Sequence, residues 1–122
     1  MIITTKKCNG QNIAIVDCGT VYITDAGSAM ELALYIQEET GCNRFVLNKG
    51  AVAEDFFSLS NGLAGEILQK YINYHFKVAI VGSFDGYASR ALHDFIYESN
   101  RGADFFFTAT EDEAIKLLAE AK

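Results

Sequence analysis

The chain has 122 residues, half of them hydrophobic, with 9 Phe, 6 Tyr and no Pro. That is enough apolar material for one domain with its own core, without disulfides or metal. A net charge of −6, with the ten Lys and Arg scattered, excludes the basic footprint of a nucleic-acid binder and offers no basic amphipathic helix for a membrane surface.

Ile2–Lys7 and Asn12–Asp17 are short β-rich runs, and Asn9-Gly10 between them is a hairpin-turn signal. Val21–Thr24 reads as a short extended piece. Ser28-x-x-Glu31 then has the form of a capping box, ahead of a helix with Met30, Ala33, Leu34 and Ile36 on one face and Thr40-Gly41 at its end. Arg44–Asn48 reads as a strand, and Glu54–Phe57 as one helical turn. The main helix runs from about Ser60 to Tyr74, with an apolar stripe of Leu63, Ala64, Ile67, Leu68, Tyr71 and Ile72.

Lys77–Gly82 is a nearly continuous apolar strand, as expected where both faces are covered. The loop Gly82–Gly86 leads into a helix over Ala88–Asn100, with Ala88, Ala91, Leu92, Phe95 and Ile96 inward. Asp104–Thr108 is the next strand, and its alternation sends Phe106 to the face opposite Phe105 and Phe107. An uncovered face there would be a partner surface or a dimer interface. Thr110-x-x-Glu113 caps a last helix with Ala114, Ile115, Leu118 and Ala121 on its apolar side.

The order ββ-α-β-α-β-α-β-α predicts a small α/β domain over 1–122. It has a four- to five-stranded mixed sheet, an N-terminal β-hairpin and helices packed on the sheet. Cys8, Cys18 and Cys42 are odd in number and lack a CxxC pair, which argues for reduced thiols and against a zinc knuckle. With no signal-like or membrane-spanning run, the chain reads as cytoplasmic.

The chemistry-bearing residues are few. Glu54 and Asp55 are adjacent and share no helical face, so they read as first-turn acids. His75 and His93 stand alone in sequence, and Arg90 with Asp94 has the spacing of a surface ion pair. Gly82–Gly86 lacks the Gly-Lys-Ser/Thr ending of a phosphate loop and reads as a turn. No catalytic residue, metal site or cofactor is expected. The most promising stretch joins Asn48 and Lys49 to the hydroxyl- and amide-rich run Ser58, Ser60, Asn61 and Gly62, ahead of the main helix. A helix start can receive an anion, and Lys49 can meet one there or sit as a solvated turn lysine.

Phe45-Val46-Leu47-Asn48, Leu59-Ser60-Asn61-Gly62-Leu63 and Val78-Ala79-Ile80-Val81-Gly82 resemble the middle of STAS domains, the anti-sigma-factor-antagonist fold. That resemblance implies a regulatory module. In that family a phosphorylated Ser directly precedes the Gly. Asn61 holds that place here and cannot be phosphorylated, which leaves Ser58 or Ser60. Over nearly the full length the chain is also similar to a bacterial family built on a domain of unknown function, DUF4180. The runs Glu54–Leu59, Gly62–Lys70 and Phe95–Asn100 carry that similarity.

Two functions from different classes follow. The first is a non-enzymatic regulatory module that binds a protein partner. It would use the Lys49 loop, Ser58, Ser60, Asn61 and Gly62, and Glu66, Gln69 and Lys70 on the following helix. On this reading a bulky residue at position 62 should abolish binding while the fold survives. The alternative is a small-molecule or anion site, possibly catalytic, at the same loop and helix start. A homodimer using the Phe-rich strand edge is a third arrangement.

Overall fold

The hairpin is where sequence and backbone agree most directly. Asn9 and Gly10 both adopt positive φ, at 51° and 77°, as a tight twisted turn between antiparallel strands requires. They join β1 (Ile2–Cys8) to β2 (Gln11–Asp17), with Ile2 opposite Asp17 and Cys8 opposite Gln11. The computed structural model describes all residues, Met1–Lys122.

From β2 the chain alternates helix and strand through α1 (Ala26–Thr40), β3 (Arg44–Asn48), α2 (Leu63–Asn73), β4 (Lys77–Val81), α3 (Arg90–Arg101), β5 (Phe105–Thr108) and α4 (Glu111–Glu120). The five strands lie in sequence order, and β2 to β5 are mutually parallel. Successive right-handed crossovers that always step in one direction put their helices on one face. Accordingly Val16, Leu47, Ile80 and Phe107 face α1, α2 and α3 in one core. Ile13, Ile15, Val46, Ala79 and Phe106 face α4 alone, through Ala114, Ile115, Leu118 and Ala119.

Arg44 fastens this single helix to β3 by donating to the carbonyls of Leu118 and Ala121 at the α4 C-terminus. Both faces of β5 are therefore covered. Phe105, Phe106 and Phe107 are all buried, so their side chains offer no dimer surface. No helix is long and apolar enough to cross a membrane.

Helix starts depart from the sequence reading. The α1 cap is Asp25, whose carboxylate accepts from Ser28 N at 2.7 Å while Ser28 Oγ accepts from Asp25 N at 3.0 Å. The box therefore spans Asp25–Ser28, not Ser28–Glu31. Ala33 and Ile36 are buried as expected, but Leu34 is half exposed and Ala29 and Leu32 complete the buried face instead. The segment before α2 is not helical from Ser60. It makes three short 3-10 turns, at 49–51, 54–57 and 59–61. The α2 cap is Gly62, at φ 78°, and Ser60 caps nothing. Ser89 caps α3, leaving Ala88 and Ala91 on the solvent side. Thr110 caps α4 as expected, accepting from Glu113 N at 3.2 Å. Val21–Thr24 makes only one bridge, Ile23 to Val52, and Arg90 and Asp94 do not pair within 4 Å.

Candidate functional site

The loops that leave β3 and β4 meet at the carboxyl end of the sheet, where α/β sheets tend to carry their sites. Asn48 is the last residue of β3 and part-buried. Its side-chain oxygen accepts from Cys18 N at 2.9 Å and its amide nitrogen donates to Cys18 O at 2.9 Å. Both ends of the amide pin the chain as it leaves β2. Burial pushes the Cys18 thiol up from its ordinary range, further holding it as an inert neutral group.

Lys49 follows. Its stem lies against Gly82, where a Cβ would come within 2.6 Å of Lys49 Cβ, so only Gly lets the two loops approach this closely. The ammonium then sits among three rings, 4.7 Å from the centroid of Tyr87, 5.5 Å from Phe57 and 6.0 Å from Phe84. Phe57 stacks on Tyr87 at 5.2 Å and contacts Phe84 at 5.8 Å, so the rings support one another. Glu54 closes the group. One of its oxygens is 3.8 Å from Lys49 Nζ, and its carboxylate accepts from Tyr87 Oη at 2.9 and 3.1 Å. Burial raises the Tyr87 phenol above its ordinary range; Lys49 pulls it back and Glu54 adds to the rise.

Beside this cluster, Ser83, Phe84, Asp85, His93, Ile96 and Phe107 line an open depression of about 430 Å³. His93 Nε2–H donates to Tyr87 O at 2.6 Å, which fixes that nitrogen as a donor against the loop.

The remaining sequence-selected residues divide into two groups. Asn61 is committed to its own loop: its amide donates to Asp55 O at 2.8 Å and its oxygen accepts from Leu63 N at 2.9 Å. Gly62 meets nothing within 4 Å at its Cβ position, but its φ of 78° strains any side chain placed there. A bulky residue at 62 would therefore perturb the backbone as well as the surface. Ser58 and Ser60 are exposed and free of side-chain capping bonds.

Glu66 and Lys70 lie elsewhere. They flank an open groove of about 440 Å³ between α1 and α2, with Ala26, Met30, Leu34 and Tyr74 as its apolar lining. Leu34 is 50% exposed and Tyr74 56%. Gln69 bonds Asn73 at 2.8 Å outside the groove lining. The nine selected residues thus form no single cluster. The rings at 57, 84 and 87 were not among them, because their convergence depends on loops more than twenty residues apart.

No curated protein and no solved structure gives a significant match to the chain. The family described as Domain of unknown function (DUF4180) matches over residues 8–118, from the end of β1 into α4. The match spans the hairpin turn, the crowded end of the sheet and the groove alike, and the chain belongs to that family.

Proposed function

We propose that the chain is a non-enzymatic regulatory module of STAS-like type that binds a protein partner through the α1–α2 groove and the start of α2. The carrying observation is that Leu34 and Tyr74 stand half or more exposed over an apolar groove with Glu66 and Lys70 on its margin. An apolar floor with a charged rim is the anatomy of a protein interface. Exposed Leu and Tyr that converge in one groove also ask for a reason that a solvated helix pair does not supply.

The STAS-like part rests on the resemblance over 44–82 and on the exposed Ser58 and Ser60 just ahead of α2. A phosphate on either hydroxyl would add charge beside the docking face and change partner affinity. Three unpaired thiols, Cys8, Cys18 and Cys42, support a cytoplasmic setting. The anion-site alternative is weakened because Asn48, Lys49 and Asn61, the polar groups it needs, are occupied by partners within the chain.

The test is a photo-cross-linking residue at position 34, with the same residue at Lys7 on β1 as control, in cells that make the protein. One adduct from position 34, absent from position 7 and lost with Lys70→Glu, supports a partner in the groove. An adduct of twice the chain mass would identify that partner as a second copy. Equal adducts from both positions, or none, overturn the reading.

A further inference from the structure

The Lys49 cluster is a separate matter from the groove. Three rings and one carboxylate surround a single ammonium, and the side chain that brings it there remains 28% exposed while Glu54 is 73% exposed. The arrangement is open to solvent on the Glu54 side. A cation over several ring faces is attracted by their quadrupoles, and clusters of this kind recognise quaternary ammonium ligands.

Lys49 is a poor guest for such a place. A primary ammonium is compact, strongly hydrated and has three protons to donate. Its ion pair with Glu54 spans 3.8 Å, well beyond the 2.7–2.9 Å of a charge-assisted hydrogen bond. The Glu54 oxygens are taken up by Tyr87 Oη instead. The rings therefore contribute attraction that does not depend on donated hydrogen bonds. That suits a larger, weakly hydrated cation with no N–H at all.

We propose that Phe57, Phe84, Tyr87 and Glu54 form a recognition cage for a methylated ammonium group, and that Lys49 fills it as a displaceable resident. Entry of the ligand swings Lys49 out to solvent. Gly82 sets the resident's path by giving its stem room.

Lys49→Met keeps an unbranched stem over Gly82 and removes the charge. In that variant, tetramethylammonium chloride should bind saturably at about 10 mM, the affinity a few such contacts support. The signal is a shift of the Tyr87 and Phe84 ring resonances, with sodium chloride at equal ionic strength as the blank. Binding should be at least tenfold weaker with Lys49 present, and lost when Tyr87→Leu is added to Lys49→Met. A choline titration and a peptide carrying trimethyllysine then separate a free small ligand from a methylated side chain by whichever binds tighter.

No saturation by tetramethylammonium in folded Lys49→Met overturns the proposal, as does equal affinity in the two chains. Should Lys49→Met unfold, tetramethylammonium must restore its circular dichroism where sodium chloride does not, and failure to do so also overturns it. None of these outcomes touches the groove, which is tested by cross-linking alone.

Discussion

Replacing Asn48 by Ala tests the claim that this amide is part of the scaffold. The side chain makes two 2.9 Å hydrogen bonds to the backbone of Cys18, thirty residues away and buried. Each such bond contributes about 1 kcal/mol net, and a buried N–H left without a partner costs a further 1–3 kcal/mol, roughly. The expected loss is therefore about 3–5 kcal/mol. For a chain of this size that lowers the melting temperature by about 12–20 °C. Urea unfolding followed by far-UV circular dichroism gives the energy, since the chain has no Trp. A second readout is local. With its backbone unpinned, the Cys18 thiol should react faster with a thiol reagent at fixed pH, while Cys42, buried near the other end of β3, should not change. Asn48→Asp should not rescue. A carboxylate can still accept from Cys18 N, but it opposes Cys18 O where the amide donated. A loss below about 0.5 kcal/mol with an unchanged Cys18 rate would refute the assignment and return Asn48 to the surface.

Gly82→Ala should cost about 1–3 kcal/mol, because the new Cβ overlaps the Lys49 stem at 2.6 Å and the stem's first carbon cannot rotate away; urea unfolding reads it, and a neutral result would show the loops separate freely. Leu118→Ala should cost about 2–5 kcal/mol, since Leu118 is fully buried and α4 alone covers its face of the sheet; calorimetry measures the loss. Burial raises the pKa values of Tyr71 and Tyr87, so in a spectrophotometric titration two of the six tyrosines should ionise after the rest, and Tyr87→Phe should remove one of the late pair. Because these folded-state values lie above the unfolded one of about 10, the stability they represent is fully present below that pH. It is lost as pH rises through the folded values, and six phenols titrating together before unfolding would contradict this.

The elements that read correctly from sequence are those fixed by short-range chemistry. Asn9-Gly10 is one of the few dipeptides that tolerates positive φ twice, and Thr110 has the Glu three residues on that completes a capping-box signature. The near-continuous apolar run of β4 announced coverage on both faces, and both faces are covered. Errors fell where several residues could do the same job. Asp25 and Ser28 are both good caps, and only packing against the sheet decides that the helix begins one turn earlier. Before α2, the apolar stripe places the helix start at about Ser60, yet Asn61 accepts from Leu63 N in an Asx-type bond and the chain turns at Gly62. The site was legible only in part. Lys49 stood out because it follows a strand, but its rings come from positions 57, 84 and 87, and no local pattern brings those together. The one available hint was Gly82 directly after β4, where a Gly marks a close approach.

The strand order gives a physical reason why the loops after β2, β3 and β4 crowd against one another. Doubly wound sheets bind ligands where the strand order reverses, because neighbouring crossovers then leave in opposite directions and open a crevice. Here the order runs 1-2-3-4-5 without reversal. The connections after β2, β3 and β4 all return on one face, so successive loops lean on one another: Asn48 holds the exit of β2, and Lys49 meets Gly82 and the rings of the next loop. At the Lys49 cluster, space must come from displacing the side chain the fold has already seated there. By contrast, α1 and α2 pack on one another beneath the surface, where the Tyr71 hydroxyl donates to Ala29 O at 2.8 Å. Leu34 and Tyr74 lie away from that contact on the solvent side, and so remain uncovered. The topology therefore separates the two candidate surfaces by mechanism. A partner at the groove would need no rearrangement, whereas a ligand at the proposed cage would first have to displace Lys49. Charge-neutralising acylation of Lys49 should then change ammonium binding at the cage and leave cross-linking from position 34 unaltered.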